Sequence, residues 1–96
     1  MSNERVLAIL KKALSEEKYS KELEKITLDD IFFEEECEED MSLGGNNISG
    51  AQVWYINTNK CDCDIDLRVY KIREKLYISR AIEEDFPNDI CILATI

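Results

Sequence analysis

The sequence predicts an α+β fold, with two to three N-terminal helices packed on a mostly antiparallel sheet of about four strands. Apolar residues recur at helical spacing near the N-terminus, and apolar and polar residues alternate from residue 51 onward. A loop-forming stretch, SLGGNNISG, separates the two patterns. The 96 residues suffice for a single domain. We expect it to comprise a helical and acidic part (1–40), a loop (41–50) and an antiparallel β part (51–96).

The first two helices are predicted from their apolar spacing and their start signals. Val6, Leu10 and Leu14 recur every four residues, which places them on one helix face. Ser2 or Asn3 is suited to cap this helix. A second short helix is predicted over residues 20–25.

A third helix is predicted after Thr27, because Asp30 follows three residues later as a weak capping box. Its apolar face would hold Leu28, Ile31 and Phe32. An acidic run follows, and acidic side chains at a helix C-terminus oppose the helix dipole. We therefore expect the third helix to end within that run.

Four strands are predicted in the C-terminal half. The first follows Ala51, the third spans Leu76–Ile82, and the fourth spans Ile90–Ile96, which is almost wholly apolar. A strand of that kind is usually central or covered on both faces. The second, Cys61–Tyr70, alternates most clearly, which predicts a buried face and a solvent-exposed face. The exposed face would carry Asp62, Asp64, Asp66, Arg68 and Tyr70.

Composition excludes several classes of function. The net charge of −9 disfavours direct binding to nucleic acid or to anionic membranes. No apolar run approaches the roughly 20 residues needed to span a bilayer, and the N-terminus does not resemble a signal peptide. We therefore expect a cytoplasmic protein. The chain has no histidine, the commonest general base and metal ligand. Without a catalytic motif, we expect no enzyme activity and no cofactor.

The cysteines and aspartates are weak metal candidates. Cys61 and Cys63, with Cys37 and Cys91, are possible zinc ligands, but only one closely spaced pair exists. In a reducing compartment the simpler interpretation is free thiols, buried in the strands. Cys37 is interpreted as a small residue in a solvated acidic turn. The aspartates from Asp62 onward do not complete a calcium loop, because its required glycine and glutamate are absent. We expect no bound metal.

The negative charge is concentrated in one segment. Residues 27–50 hold eight acidic and no basic side chains, while the remainder of the chain is nearly balanced. The aspartates of the second strand form another set, with a spacing of roughly 6.5–7 Å that is comparable to that of successive phosphates. The candidate partner-binding residues are Glu34, Glu35, Glu36, Glu38, Glu39, Asp40, Asp62, Asp64, Asp66 and Tyr70.

Three hypotheses follow from these features. In the first, the protein is a small acidic inhibitor that occupies the basic groove of a nucleic-acid-processing enzyme. In size, charge and helix-then-sheet layout it is similar to nuclease-immunity proteins, uracil-DNA glycosylase inhibitors and anti-CRISPR proteins, although no motif assigns it to them. In the second, it is a non-catalytic assembly module, homodimeric through Ile90–Ile96. In the third, Cys61, Cys63 and Cys91 form a metal- or thiol-dependent switch. Acidic side chains that only solubilise the domain are the simplest alternative.

Overall fold

The computed structural model describes residues 1–16, 20–39, 42–43, 45–61, 65–82 and 89–95. Its fold is α+β, with a five-stranded antiparallel sheet and one long helix. The elements in chain order are α1 (Asn3–Ala13), α2 (Ser20–Leu23), a 3-10 turn (Leu28–Asp30), β1 (Ile31–Glu34), β2 (Ser42–Leu43), β3 (Asn46–Asn47), β4 (Gln52–Ile56), β5 (Ile65–Ile72), β6 (Lys75–Ile82) and β7 (Asp89–Thr95).

The helix α1 forms as its sequence predicts. The Ser2 hydroxyl caps it by accepting a hydrogen bond from the Arg5 N–H at 3.2 Å. Val6, Leu10 and Leu14 are all buried against the sheet. The amphipathic stripe therefore does what its spacing indicates, which is to cover one face of the sheet.

The predicted third helix is wrong. The Thr27 N–H does donate to the Asp30 carboxylate at 2.8 Å, but only a 3-10 turn follows. From Ile31 the chain becomes strand β1, which pairs with β4 in the register Ile31↔Ile56. β-Branched and aromatic residues favour strands, and pairing along β4 outweighs the local helix start signal. The structure thus has one long helix, a single-turn helix and a 3-10 turn.

The sheet order is β1-β4-β5-β6-β7, with every neighbouring pair antiparallel. The four predicted C-terminal strands are confirmed. β5 and β6 are joined by the two-residue turn Arg73-Glu74, in which Arg73 has a φ of 58°. The apolar β7 lies at an edge of the sheet in the described part of the chain and not at its centre, which was one of the two positions that we expected. The predicted loop 41–50 contains the short hairpin β2-β3.

The two faces of the sheet carry separate apolar cores. The helix-side core contains Val6, Leu10, Leu14, Leu23, Ile26, Ile31, Trp54, Ile56, Ile65, Leu67, Val69, Leu76 and Ile78. The opposite face carries a smaller core of Cys37, Ile48, Val53 and Tyr70. The alternation along β5 explains this division, since Leu67 and Val69 point to one core and Tyr70 to the other.

Candidate functional site

Residues 35–39 and 45–51, which we call the excursion, lie over the sheet face opposite α1. The Cys37 N–H donates to the Ala51 carbonyl at 2.8 Å, and the Gly50 N–H donates to the Cys37 carbonyl at 2.9 Å. Cys37 and Ile48 are buried against Val53 of β4. These contacts hold both ends of the excursion on the sheet. Cys37 is therefore a core residue, and our interpretation of it as a solvated turn residue is wrong.

The buried Cys37 lies within an exposed acidic stretch. We define residues 34–39 as the acidic segment. Glu34, Glu35, Glu36 and Glu38 are exposed, while Cys37 between them is buried. None of these four glutamates forms an ion pair with another described residue. Their charges are thus presented to solvent by a backbone that is held at Cys37.

Asp66 is the described member of the second predicted acidic set, and Glu39 belongs to the acidic segment. The side chain of Arg68 lies between them. Its guanidinium lies 2.8 Å from the Glu39 carboxylate and 3.6 Å from that of Asp66, and is 5.6 Å from the centroid of the Tyr55 ring. Burial alone lowers the pKa of Arg68, but its hydrogen bond with Tyr70 and the two carboxylates raise the pKa above its ordinary value. Arg68 therefore remains charged and joins Glu39 to Asp66 across 27 positions of sequence.

The environment of Tyr55 is consistent with this arrangement. Burial raises the pKa of the Tyr55 hydroxyl to about 12, with further contributions from the negative charges of Glu34 and Glu39. Tyr55 is opposite Arg68 in the register of β4 and β5 and opposite Phe32 in that of β1 and β4. Phe32, Tyr55 and Arg68 thus form one row across the open part of this face.

Tyr70 does not lie on a solvent-exposed face, and that expectation is wrong. It is 1% exposed and packs with Cys37 and Ile48. Burial raises the pKa of its hydroxyl, and the interaction with Arg68 opposes this effect. The alternation along β5 correctly separates the two faces, but the second face is covered here by residues distant in sequence. Tyr70 therefore packs beneath Cys37 and Ile48 and is not accessible to a partner.

The other candidate residues have different positions. The side chain of Asp66 is 57% exposed, as predicted. Asp40, Asp62 and Asp64 lie outside the described residues. Asp30 belongs to the charge-rich stretch but is buried, and its carboxylate lies 2.9 Å from the Lys60 ammonium. The hydrogen bond from Lys60 and that from the Thr27 N–H hold the pKa of Asp30 below its ordinary value. Asp30 therefore serves the fold.

Sequence reasoning missed two exposed aromatic residues. Phe32 is 56% exposed and Phe33 is 43% exposed, on strand β1. The rings of Phe33 and Trp54 have centroids 5.0 Å apart. The available signal was the run Ile31-Phe32-Phe33, since three consecutive β-formers suit a strand better than an amphipathic helix. Our assignment of Phe32 to a helix face concealed it.

The structure describes the side chains of two of the four cysteines. Cys37 is a buried free thiol, and Cys61 is partly buried, with its Sγ 3.4 Å from the Glu22 carbonyl. In the described part of the chain, no three potential ligands cluster as a metal site would require. Cys63 lies outside that part, and the side chain of Cys91 is not described.

The fold and this surface define an acidic α+β protein that presents charged and aromatic side chains around one strand. No protein-family model, curated protein or solved structure matches the chain. Among the described residues, no helix is long and apolar enough to cross a membrane.

Proposed function

We propose that this protein is a small acidic inhibitor that occupies a basic, nucleic-acid-binding surface of a partner enzyme in the cytoplasm. In this role it would be an inhibitor of the anti-CRISPR, nuclease-immunity or DNA-mimic type. The observation that supports the proposal most is the anchored acidic segment. Because Cys37 and Ile48 already hold this segment on the sheet, little backbone conformational entropy remains to be lost on binding.

The charge distribution supports the same proposal. Glu34, Glu35, Glu36 and Glu38 have no cationic partner among the described residues, whereas Asp30 and Glu39 each have one. Unpaired exposed carboxylates attract lysine and arginine side chains and accelerate association with a basic surface. Asp66 extends this surface across Arg68, and we propose that Asp40, Asp62 and Asp64 contribute to it. The proposed inhibitor binds its target and has no catalytic residue.

The experiment is affinity capture from the native host, followed by measurements on the purified partner. The parent chain is compared with the triple variant E34Q/E35Q/E36Q and with the control E16Q/E24Q/E74Q. Both variants remove three exposed carboxylates, so they change the net charge equally. We expect a basic partner that the parent and the control retain at low salt and that the first variant retains less well, with the difference shrinking as salt rises. The parent should also displace nucleic acid from that partner.

The contradicting outcomes are equally concrete. If both triple variants bind the partner as tightly as the parent at low and high salt, the acidic segment is not the contact surface. If the captured partner binds nucleic acid and the protein simultaneously, the protein is not a mimic.

An assembly module is the second candidate function, and the position of β7 favours it. β7 is an edge strand in the described sheet, so it can pair with the same strand of another copy. Light scattering over a concentration series decides this alternative, because a homodimer gives twice the monomer mass, or a mass that rises toward that value with concentration. A constant monomer mass would eliminate it.

A further inference from the structure

Strand β1 is an edge strand of the sheet that the described residues form, and its outward side can be assigned from the hydrogen-bond pattern. The Asn57 N–H donates to the Asp30 carbonyl at 2.7 Å, which continues the β1–β4 register by one residue. In an antiparallel pair, residues point their backbone groups alternately toward and away from the partner strand. The backbone groups of Phe32 therefore face β4, and those of Ile31 and Phe33 face outward.

Phe33 is the residue of β1 whose outward backbone groups stay available. At Ile31, the N–H donates to the Leu28 carbonyl and the carbonyl accepts from the Asn3 side-chain amide at 3.5 Å. Neither the N–H nor the carbonyl of Phe33 bonds to another residue in the part of the chain that the structure describes. Phe33 thus presents one donor and one acceptor, which is the unit that an added antiparallel strand requires.

The exposed aromatic rings flank these backbone groups on both faces of the sheet. Phe32 and Phe33 point to opposite faces because they are adjacent in a strand. Phe33 is held against Trp54, with ring centroids 5.0 Å apart, and Phe32 is opposite Tyr55. An added strand would find an apolar surface for its side chains on either face.

The charge around β1 selects the kind of occupant. The strand ends at Glu34 and continues into the exposed Glu35 and Glu36, and the sequence holds no lysine or arginine between Lys25 and Lys60. An incoming segment with lysine or arginine side chains is complementary to this surface. A second copy of the chain is not, because pairing β1 with itself would bring two acidic segments together.

We propose that the free edge of β1 takes up an extended, lysine- or arginine-rich segment of a partner protein as a sixth strand of the sheet. The segment pairs with the Phe33 backbone and packs its apolar side chains on the face that carries Phe32, which places its alternate lysine or arginine side chains on the other face. This inference rests on the proposed function, since it names the part of the basic partner that the acidic surface recognises.

The test uses a defined peptide and exchange of a single amide hydrogen. The probe is a peptide of about seven residues that alternates lysine and valine, long enough to cover the four-residue strand. We expect it to slow exchange of the Phe33 N–H by about tenfold or more at saturation. An equivalent peptide of alternating glutamate and valine should not do so. The lysine–valine peptide N-methylated at every residue should also fail, because it has no N–H group on either edge to donate the required hydrogen bonds.

A matched pair of variants separates the strand surface from general hydrophobicity. Phe32→Ser removes an exposed ring beside the strand, whereas Leu28→Ser removes a side chain of 41% exposure outside it. Phe32→Ser should weaken peptide binding by about fivefold or more, and Leu28→Ser should leave it within about twofold. The N-methylated peptide requires no variant, so its result holds even if Phe32→Ser unfolds.

Several outcomes would overturn the inference. Unchanged Phe33 exchange at saturating lysine–valine peptide would do so, as would equal binding of the N-methylated peptide. Slow Phe33 exchange that depends only on the concentration of the protein itself would identify a second copy as the occupant. If binding of the captured partner still depends on Glu34–Glu36 while exchange of the Phe33 amide is not slowed, the edge inference fails and the proposed function stands. If binding of the partner also no longer depended on Glu34–Glu36, both the edge inference and the proposed function would be contradicted.

Discussion

Replacing Ile48 by alanine should loosen the acidic segment from the sheet. Ile48 is fully buried and packs in the smaller core with Cys37, Val53 and Tyr70. Isoleucine-to-alanine changes in protein cores cost about 2–5 kcal/mol, depending on how far the site can collapse. Ile48 packs on one face of the sheet within a small core, so the site can collapse in part after the change, and we expect about 2–3 kcal/mol. That loss corresponds to a fall in Tm of roughly 8–24 °C for a domain of this size.

Two measurements check this prediction. Chemical denaturation gives the change in the free energy of unfolding, and hydrogen exchange shows where it acts. Exchange of the Cys37 and Gly50 amides should accelerate more than that of Val69, because those two N–H groups bond across the base of the excursion. Ile9→Ala, in a partly buried residue of the other core, is the control and should not accelerate Cys37 selectively.

One result would refute the reasoning. If Ile48→Ala costs less than about 0.5 kcal/mol, which is typical of a surface change, and leaves Cys37 exchange unaltered, then the smaller core does not hold the acidic segment. The low conformational cost of binding that we attribute to this core would then have no basis.

Three further predictions concern the fold and its titrating groups. Arg73→Gly should stabilise the protein by about 0.5–1 kcal/mol in denaturant titrations, because Arg73 has a φ of 58° that glycine adopts without strain; a loss of stability would contradict this. Asp30→Asn should lower stability at neutral pH by about 1–2 kcal/mol and flatten its pH dependence. Since folding lowers the pKa of Asp30 from 3.8, the stabilisation exists above that pH and is lost as the pH falls below it; an unchanged acid profile would contradict the Lys60 pair. Folding raises the pKa of Tyr55 from 10.0 to about 12, so the free energy of unfolding should fall as the pH rises through that interval. Tyr55→Phe should reduce this fall. An alkaline stability profile identical to that of the parent would contradict the burial of Tyr55.

Local patterns in the sequence sufficed for elements that depend on local physics. The stripe from Val6 to Leu14, with Ser2 as its cap, predicts α1 because helix periodicity and capping act over a few residues. Alternation likewise predicts β5 and the division of its side chains between two faces. Neither inference requires knowledge of the strand order.

The errors arose where distant segments decide the outcome. β1 carries a helix start signal at Thr27, but pairing of Ile31 with Ile56 makes it a strand. Tyr70 alternates as an exposed residue, yet Cys37 and Ile48 cover it. No local pattern specifies which segment crosses which face, so these contacts could not be read from spacing.

The candidate site shows the same limit. The sequence indicates two acidic sets, and it places Arg68 among the aspartates of one of them. It does not indicate that Arg68 contacts Glu39, since that contact depends on the path of the excursion over the sheet. The exposed edge of β1 was also hidden, because an edge strand is a property of the assembled sheet.

The most direct test of the proposed function is the affinity of the purified partner for the two matched triple variants at low and high salt. We predict that E34Q/E35Q/E36Q binds about tenfold or more weakly than the parent at low salt, and that the difference shrinks as salt screens the contact. The control E16Q/E24Q/E74Q should stay within about twofold of the parent. Equal losses in both variants would show that net charge alone acts, and no loss in either would show that the acidic segment does not contact the partner.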